Sequence, residues 1–204
     1  MMRHALAFMI LGLILGLLAA PVGAEEPRES TDSATVTLKK LSAAELRAAD
    51  LDRLFAQLHS QGSANNSQTV EQKIWANWGR NDSITAELLL GQASRALNAQ
   101  EFQAAEDILN RLISDKPDYA EAWNRRATLN FMARRYEKSL ADIEKVLDLE
   151  PRHFGALSGR GMVYEAMDKP DLAINAYREA LTVNPHMMAV QEKVKMLEKL
   201  RPDI

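Results

Sequence analysis

The sequence predicts an all-α fold, a solenoid of antiparallel helix pairs, on three observations. Pro117, Pro151 and Pro185 stand two steps of 34 residues apart, and a period of that length marks a stacked repeat. Windows that give each proline the same slot run 86–119, 120–153 and 154–187. They hold small residues at the eighth slot (Ala93, Ala127, Gly161) and the twentieth (Ala105, Ser139, Ala173), with large apolar ones at the fourth (Leu89, Trp123, Leu157) and the twenty-fourth (Leu109, Ile143, Tyr177). Small residues let two helices approach, and large ones fill the space between them. Last, the second half of each window carries an apolar stripe at spacings of three and four. Phe102, Ala105, Leu109, Leu112 and Ile113 form it in the first window, and Tyr136, Leu140, Ile143 and Leu147 in the second. That is helical period.

Each proline follows such a stripe and stops its helix. Pro170 instead opens the second helix of its window, where its missing N–H costs little. Upstream, residues 1–24 read as a secretory leader. Arg3 precedes an apolar run from Ala5 to Ala20, and Val22-Gly23-Ala24 forms a small-residue cleavage site before Glu25. Cleavage between Ala24 and Glu25 would leave a periplasmic protein. A retained anchor is the alternative, although the run falls short of the ~20 residues that a span needs. Residues 25–41 are polar and aperiodic, the composition of a disordered lead-in.

A helix is expected from Ser42, which has capping-box spacing to Glu45. Leu51, Leu54, Phe55 and Leu58 make its stripe. Gln61–Ser67 is rich in turn residues. A second helix with Val70, Ile74, Trp75 and Trp78 ends at Gly79. Segment 42–80 reads as a degenerate repeat that caps the N-terminal end of the stack, with both tryptophans plugging its core. After Pro185, Val190, Val194, Leu197 and Leu200 form a stripe on a C-terminal capping helix, 188–201, whose other face is charged.

With these slots in place, the windows resemble the tetratricopeptide repeat (TPR) family, whose pattern is W-x2-L-G-x2-Y, then A-x3-F, then P. Trp123 with Ala127, Gly161 with Tyr164, Ala173 with Tyr177, and the three prolines carry the likeness. Gln92, Arg126 and Arg160 depart from it at the Leu slot, and Ala96 and Asn130 at the Tyr slot. The stretches Trp123–Ala127 and Glu150–Leu157 also look like those of exported bacterial proteins with this repeat, for which the resemblance implies no activity. The family likeness implies a right-handed superhelical solenoid of three units, 86–119, 120–153 and 154–187. It further implies that the second, fifth, ninth and twelfth slots line a concave groove. Those slots hold Glu87, Leu90, Ser94 and Leu97; Glu121, Asn124, Thr128 and Phe131; and Gly155, Ser158, Met162 and Glu165. Leu90, Leu97, Phe131 and Met162 read as apolar anchors with acidic flanks at Glu87, Glu121 and Glu165. Arg125 reads either as a solvated side chain paired with neighbouring acids or as a carboxylate-binding arm in the groove. Asn124 alone resembles the Lys and Asn set with which some family members clamp a C-terminal carboxylate.

Composition narrows the function classes. The chain has 25 basic and 28 acidic residues and no cysteine. Without Arg3 the balance is 24 to 28, a net charge of −4, unlike the strongly basic face that nucleic acid calls for. Thiol catalysis, covalent haem attachment and Cys-based zinc sites are excluded. No nucleophile elbow, phosphate loop, dinucleotide fingerprint or paired-histidine zinc motif occurs. His153 and His186 follow the repeat's prolines and read as products of the repeat. No catalytic, metal or cofactor-binding residues are expected, and no cofactor. The expected function is a periplasmic adaptor or assembly factor that captures a peptide or helix of a partner protein. A self-associating scaffold, with the groove filled by a second copy, is the alternative. An enzyme built on groove Arg and Glu side chains is the rival from another class.

Overall fold

The computed structural model describes residues 41–60 and 64–200. The leader, nearly all of the lead-in, and the last residue of the expected capping helix lie outside them. The described residues form α1 (Ala43–Ser60), α2 (Ala64–Trp78), α3 (Ile84–Asn98), α4 (Phe102–Asp115), α5 (Ala120–Met132), α6 (Tyr136–Leu149), α7 (Phe154–Ala166), α8 (Pro170–Val183) and α9 (Met188–Lys199).

Local chemistry accounts for the ends of these helices. At α1 the capping box closes in both directions, with Ser42 N–H donating to Glu45 Oε2 at 2.8 Å and Glu45 N–H to Ser42 Oγ at 3.2 Å. Ser83 Oγ caps α3 by accepting from Ala86 N–H, and Pro170 is at the start of α8. Helices α4, α6 and α8 stop at Lys116, Glu150 and Asn184. Each of these precedes one of the phased prolines, whose ring drives its neighbour out of the helical region. The turns inside each pair share one geometry. Gln100, Arg134 and Asp168, again 34 apart, have φ of 60°, 56° and 58°. The next N–H reaches back five residues, as from Arg135 to Asn130 O at 2.7 Å. This is the left-handed C-terminal cap of a helix, made without glycine. Helix α2 begins at Ala64, inside the segment expected to be a turn, and Ser67 is buried on it.

Packing follows the slots. Helices pair as α3–α4, α5–α6 and α7–α8, and each second helix also lies on the next first helix, α4 on α5, α6 on α7 and α8 on α9. The small eighth slot works as expected. A Cβ on Gly161 would stand 2.5 Å from the Tyr177 ring. Among the described residues this is an all-α TPR-type solenoid with a C-terminal helix closing its last repeat.

The hairpin α1–α2 forms, but it does not extend the stack upstream of α3. Its apolar face (Leu51, Leu54, Phe55, Leu58, Val70, Ile74 and Trp78) shares one core with Phe154 from the start of α7, flanked by Val183 at the end of α8 and Met187 just before α9. The reason is complementarity. The hairpin carries six apolar residues and the Trp78 indole on one side, and the beginnings of α5, α7 and α9 offer Tyr119, His153, Phe154 and Met187 to it. The capping role read from the sequence therefore falls on a different surface, the row of first-helix N-termini.

Candidate binding groove

Helix α2 crosses the starts of α9, α7 and α5 in turn. Its first turns border His186–Val190 across a cavity of about 410 Å³ that Ser67, Gln68 and Glu71 also line. In its last turn, Trp75 lies against Gly155, where any Cβ would overlap the indole edge. At its end the Tyr119 hydroxyl donates to Gly79 O. Trp78 stacks on His153 with ring centres 3.9 Å apart and planes 13° apart, and Trp75 and Phe154 meet edge-on at 5.5 Å. Helix α1 supports α2 from outside. Asp52 pairs with Arg152 at 2.7 Å, Arg152 lies over the Phe55 ring, and a His186 ring nitrogen sits 3.0 Å from Leu58 O.

Beneath this contact is a buried polar cluster. His153 Nδ1 accepts from Ala156 N–H at 3.0 Å, so its proton is on Nε2, 3.2 Å from Glu121 Oε2. Asn124 Nδ2 donates to the same oxygen at 2.9 Å, and Arg125 pairs with Glu121 Oε1 at 2.8 Å. His153 thus caps α7, orients Glu121 and supports Trp78. The sequence reading missed this role, although the large residues Tyr119, His153 and Met187 in one slot were its signal.

The twelve groove positions now separate. Leu90 and Leu97 are not anchors for a partner. They are buried in the first repeat's core with Ala122 and Leu129, because α5 lies beside α3 and covers them. Glu121 and Asn124 are buried in the polar cluster, and Arg125 is committed to Glu121, so no carboxylate-binding arm or clamp is free there. Glu87 Oε1 accepts from Asn81 N–H at 2.7 Å and so holds the α2–α3 linker. Ser94 Oγ donates to Leu90 O. The acidic flanks of the sequence reading are therefore internal caps and pairs.

Thr128, Phe131, Ser158, Met162 and Glu165 do come together. Phe131, Ser158, Met162 and Glu165, with Tyr177, Val190 and Lys193, line a cavity of about 450 Å³ between α5, α7 and α9. A smaller one of about 140 Å³ shares Phe131 and Met162 with it and continues along Thr128 and Gly159. Glu165 accepts from the Tyr177 hydroxyl at 2.9 Å and from Lys193 Nζ at 2.6 Å. The floor is apolar, and the charges at its rim are matched. Among the described residues no group of three His, Cys, Asp or Glu side chains could hold a metal ion, and no helix is long and apolar enough to cross a membrane.

Known proteins match this geometry. Tetratricopeptide repeat family models match residues 90–153 and 155–187. A TPR repeat-containing protein of Rhizobium etli is 42% identical over 151 residues, 74% of this chain and 74% of the relative. The chain belongs to the tetratricopeptide repeat family. Solved TPR structures share its fold. The first TPR of Spaghetti (RPAP3), bound to an HSP90 peptide, superposes with a TM-score of 0.55 at 19% identity over 58% of this chain and 94% of that one. MamA does so with a TM-score of 0.52 at 17% identity over 75% and 81%. TPR domains are protein–protein interaction modules, and some of them bind peptides. In this TPR protein the first-helix N-termini are covered by its own hairpin, and the trough between α5, α7 and α9 is open.

Proposed function

We propose that the protein is an exported adaptor that captures an apolar segment of a partner protein in the trough between α5, α7 and α9. The trough itself carries this reading. It is a preformed cavity of about 450 Å³ whose floor is Phe131, Met162, Tyr177 and Val190, and exposed apolar groups in a groove are a binding signal. Preformed walls keep the ordering cost on the partner's side. TPR structures that hold peptides, such as the RPAP3 domain with its HSP90 peptide, support a peptide or helix as the bound form. Lys193 is paired with Glu165 and Arg125 with Glu121, so the segment is an internal apolar stretch rather than a free C-terminal carboxylate. The leader-like residues 1–24 support export to the periplasm.

The test is photo-crosslinking in cells with the probe at Met162, and a control at Lys145 on the solvent face of α6. A discrete adduct at Met162 that is absent at Lys145, and that disappears when Phe131→Glu is added, is the expected result. No adduct, or the same adducts at both positions, would remove the trough from consideration.

A further inference from the structure

The four most exposed large apolar side chains among the described residues all lie on the first and last helices of the stack. Ile84 is 77% exposed and Leu88 62% on α3, and Leu200 is 71% exposed and Met188 62% at α9. Interior repeats show why α3 is bare. The slot of Leu88 holds Ala122 in α5 and Ala156 in α7, and that of Arg95 holds Leu129 and Val163, all buried under the preceding helix pair. The hairpin that could have covered α3 lies instead across the first-helix N-termini, so this end of the solenoid is open. Open ends of repeat stacks need a polar cover or a partner.

The two ends match each other. On α3 the outward stripe is Ile84, Leu88 and, two turns on, Arg95, which makes no ion pair among the described residues. On α9 it is Leu200, Met196 and Glu192, in the reverse sense with the same four-residue step between the apolar pair. Among the described residues Glu192 has an exposed pair with Lys195 and no other ion pair, and such a pair is worth little. We propose that copies of this chain join end to end, the outer face of α9 in one copy lying antiparallel on the outer face of α3 in the next. Leu200 then meets Ile84, Met196 meets Leu88, and Glu192 reaches Arg95. The parallel alternative is disfavoured. In the register that places Asn124 beside Gly155 between α5 and α7, Glu192 would face Glu87. The two faces differ, so each junction leaves one α3 and one α9 free, and the assembly does not close at two copies.

Sedimentation velocity of the purified protein over a concentration series tests this. The expected result is a mass that rises with concentration past the dimer. Leu88→Glu and Met196→Glu each alter an exposed residue, so both should keep the wild-type helical signal and melting temperature, and each alone should be monomeric. Mixed in equal amounts they should form a dimer and nothing larger, because each brings one intact face. Arg95→Glu or Glu192→Arg alone should weaken association about tenfold, and the two together should restore it. Met162→Glu, in the trough, should leave association unchanged. A monomer at every concentration would overturn the proposal, as would assembly indifferent to Leu88→Glu. A dimer that survives Met196→Glu but not Leu88→Glu would also overturn it, since that behaviour belongs to a symmetric α3–α3 contact.

Discussion

Two glycines four residues apart on α7 have opposite requirements. Gly155 is pressed by Trp75, and a Cβ there has no room beside the indole. Gly159 has room for one, since a Cβ there would meet Ile143 Cδ1 at 3.8 Å, an ordinary van der Waals contact. Gly155→Ala should lose about 1–3 kcal/mol through overpacking, with a shift in tryptophan emission as Trp75 moves. Gly159→Ala should gain about 0.5–1 kcal/mol, because alanine favours the helix. Urea titrations of both variants check the signs. Glu121 holds three side chains together, since His153, Asn124 and Arg125 all turn to it inside the protein. Glu121→Ala should cost about 3 kcal/mol, the scale of an orphaned buried pair, measured as a fall in the urea midpoint. Tyr119 makes the hairpin sensitive to alkali. Burial first, then the nearby carboxylates of Glu121 and Glu87, push its phenol well above the ordinary 10.0. Burial and its hydrogen bond to Glu165 do the same for Tyr177. A raised phenol favours the neutral form in the folded state, so its stabilisation is complete below the ordinary value and is lost as pH rises above it. Stability should therefore decline above about pH 10, and Tyr119→Phe should flatten that decline while costing about 1 kcal/mol at neutral pH.

The turns within the helix pairs are the most uniform elements, and their sequence conceals it. Gln100, Arg134 and Asp168 all take positive φ, yet none is the glycine that marks such a cap. Arg134→Gly should relieve a left-handed cost of about 1–2 kcal/mol, partly offset by glycine's freedom in the unfolded chain. The net gain should be about 0.5–1 kcal/mol, read as a higher melting temperature. The same contrast explains what was legible. The helices, their ends and the eighth and twentieth slots could be read because each is decided within one 34-residue window, by a proline or a small residue facing its own partner helix. The burial of Leu90 and Leu97 could not, since Ser158 and Phe131 in the same slots of later repeats line the cavity, whereas α5 roofs both leucines in the first. The hairpin's seat could not either. It is assembled from Tyr119, His153, Phe154, Gly155 and Met187, residues drawn from all three windows, and no local pattern shows that they form one shelf.

At the scale of the whole molecule, the open trough and the covered N-termini divide one concave side between a surface for others and a surface for the chain itself. A stack whose repeats touch only their neighbours would unfold piecemeal. Here Asp52 is tied to Arg152 and Leu58 to His186, contacts spanning 100 and 128 residues. Unfolding followed by Trp75 and Trp78 emission and by far-ultraviolet helicity should therefore give one coincident transition, and Trp75→Ala should separate the two. The seat of α2 also sets an order of events. The hairpin is made before the shelf that receives it, and that shelf is complete only once residues 186 and 187 have been added. Until then Leu51, Leu54, Phe55, Ile74 and Trp78 have no finished surface to bury on. The early chain is thus an exposed apolar hairpin waiting on its own far end, a stage at which a holding chaperone would have the most to do.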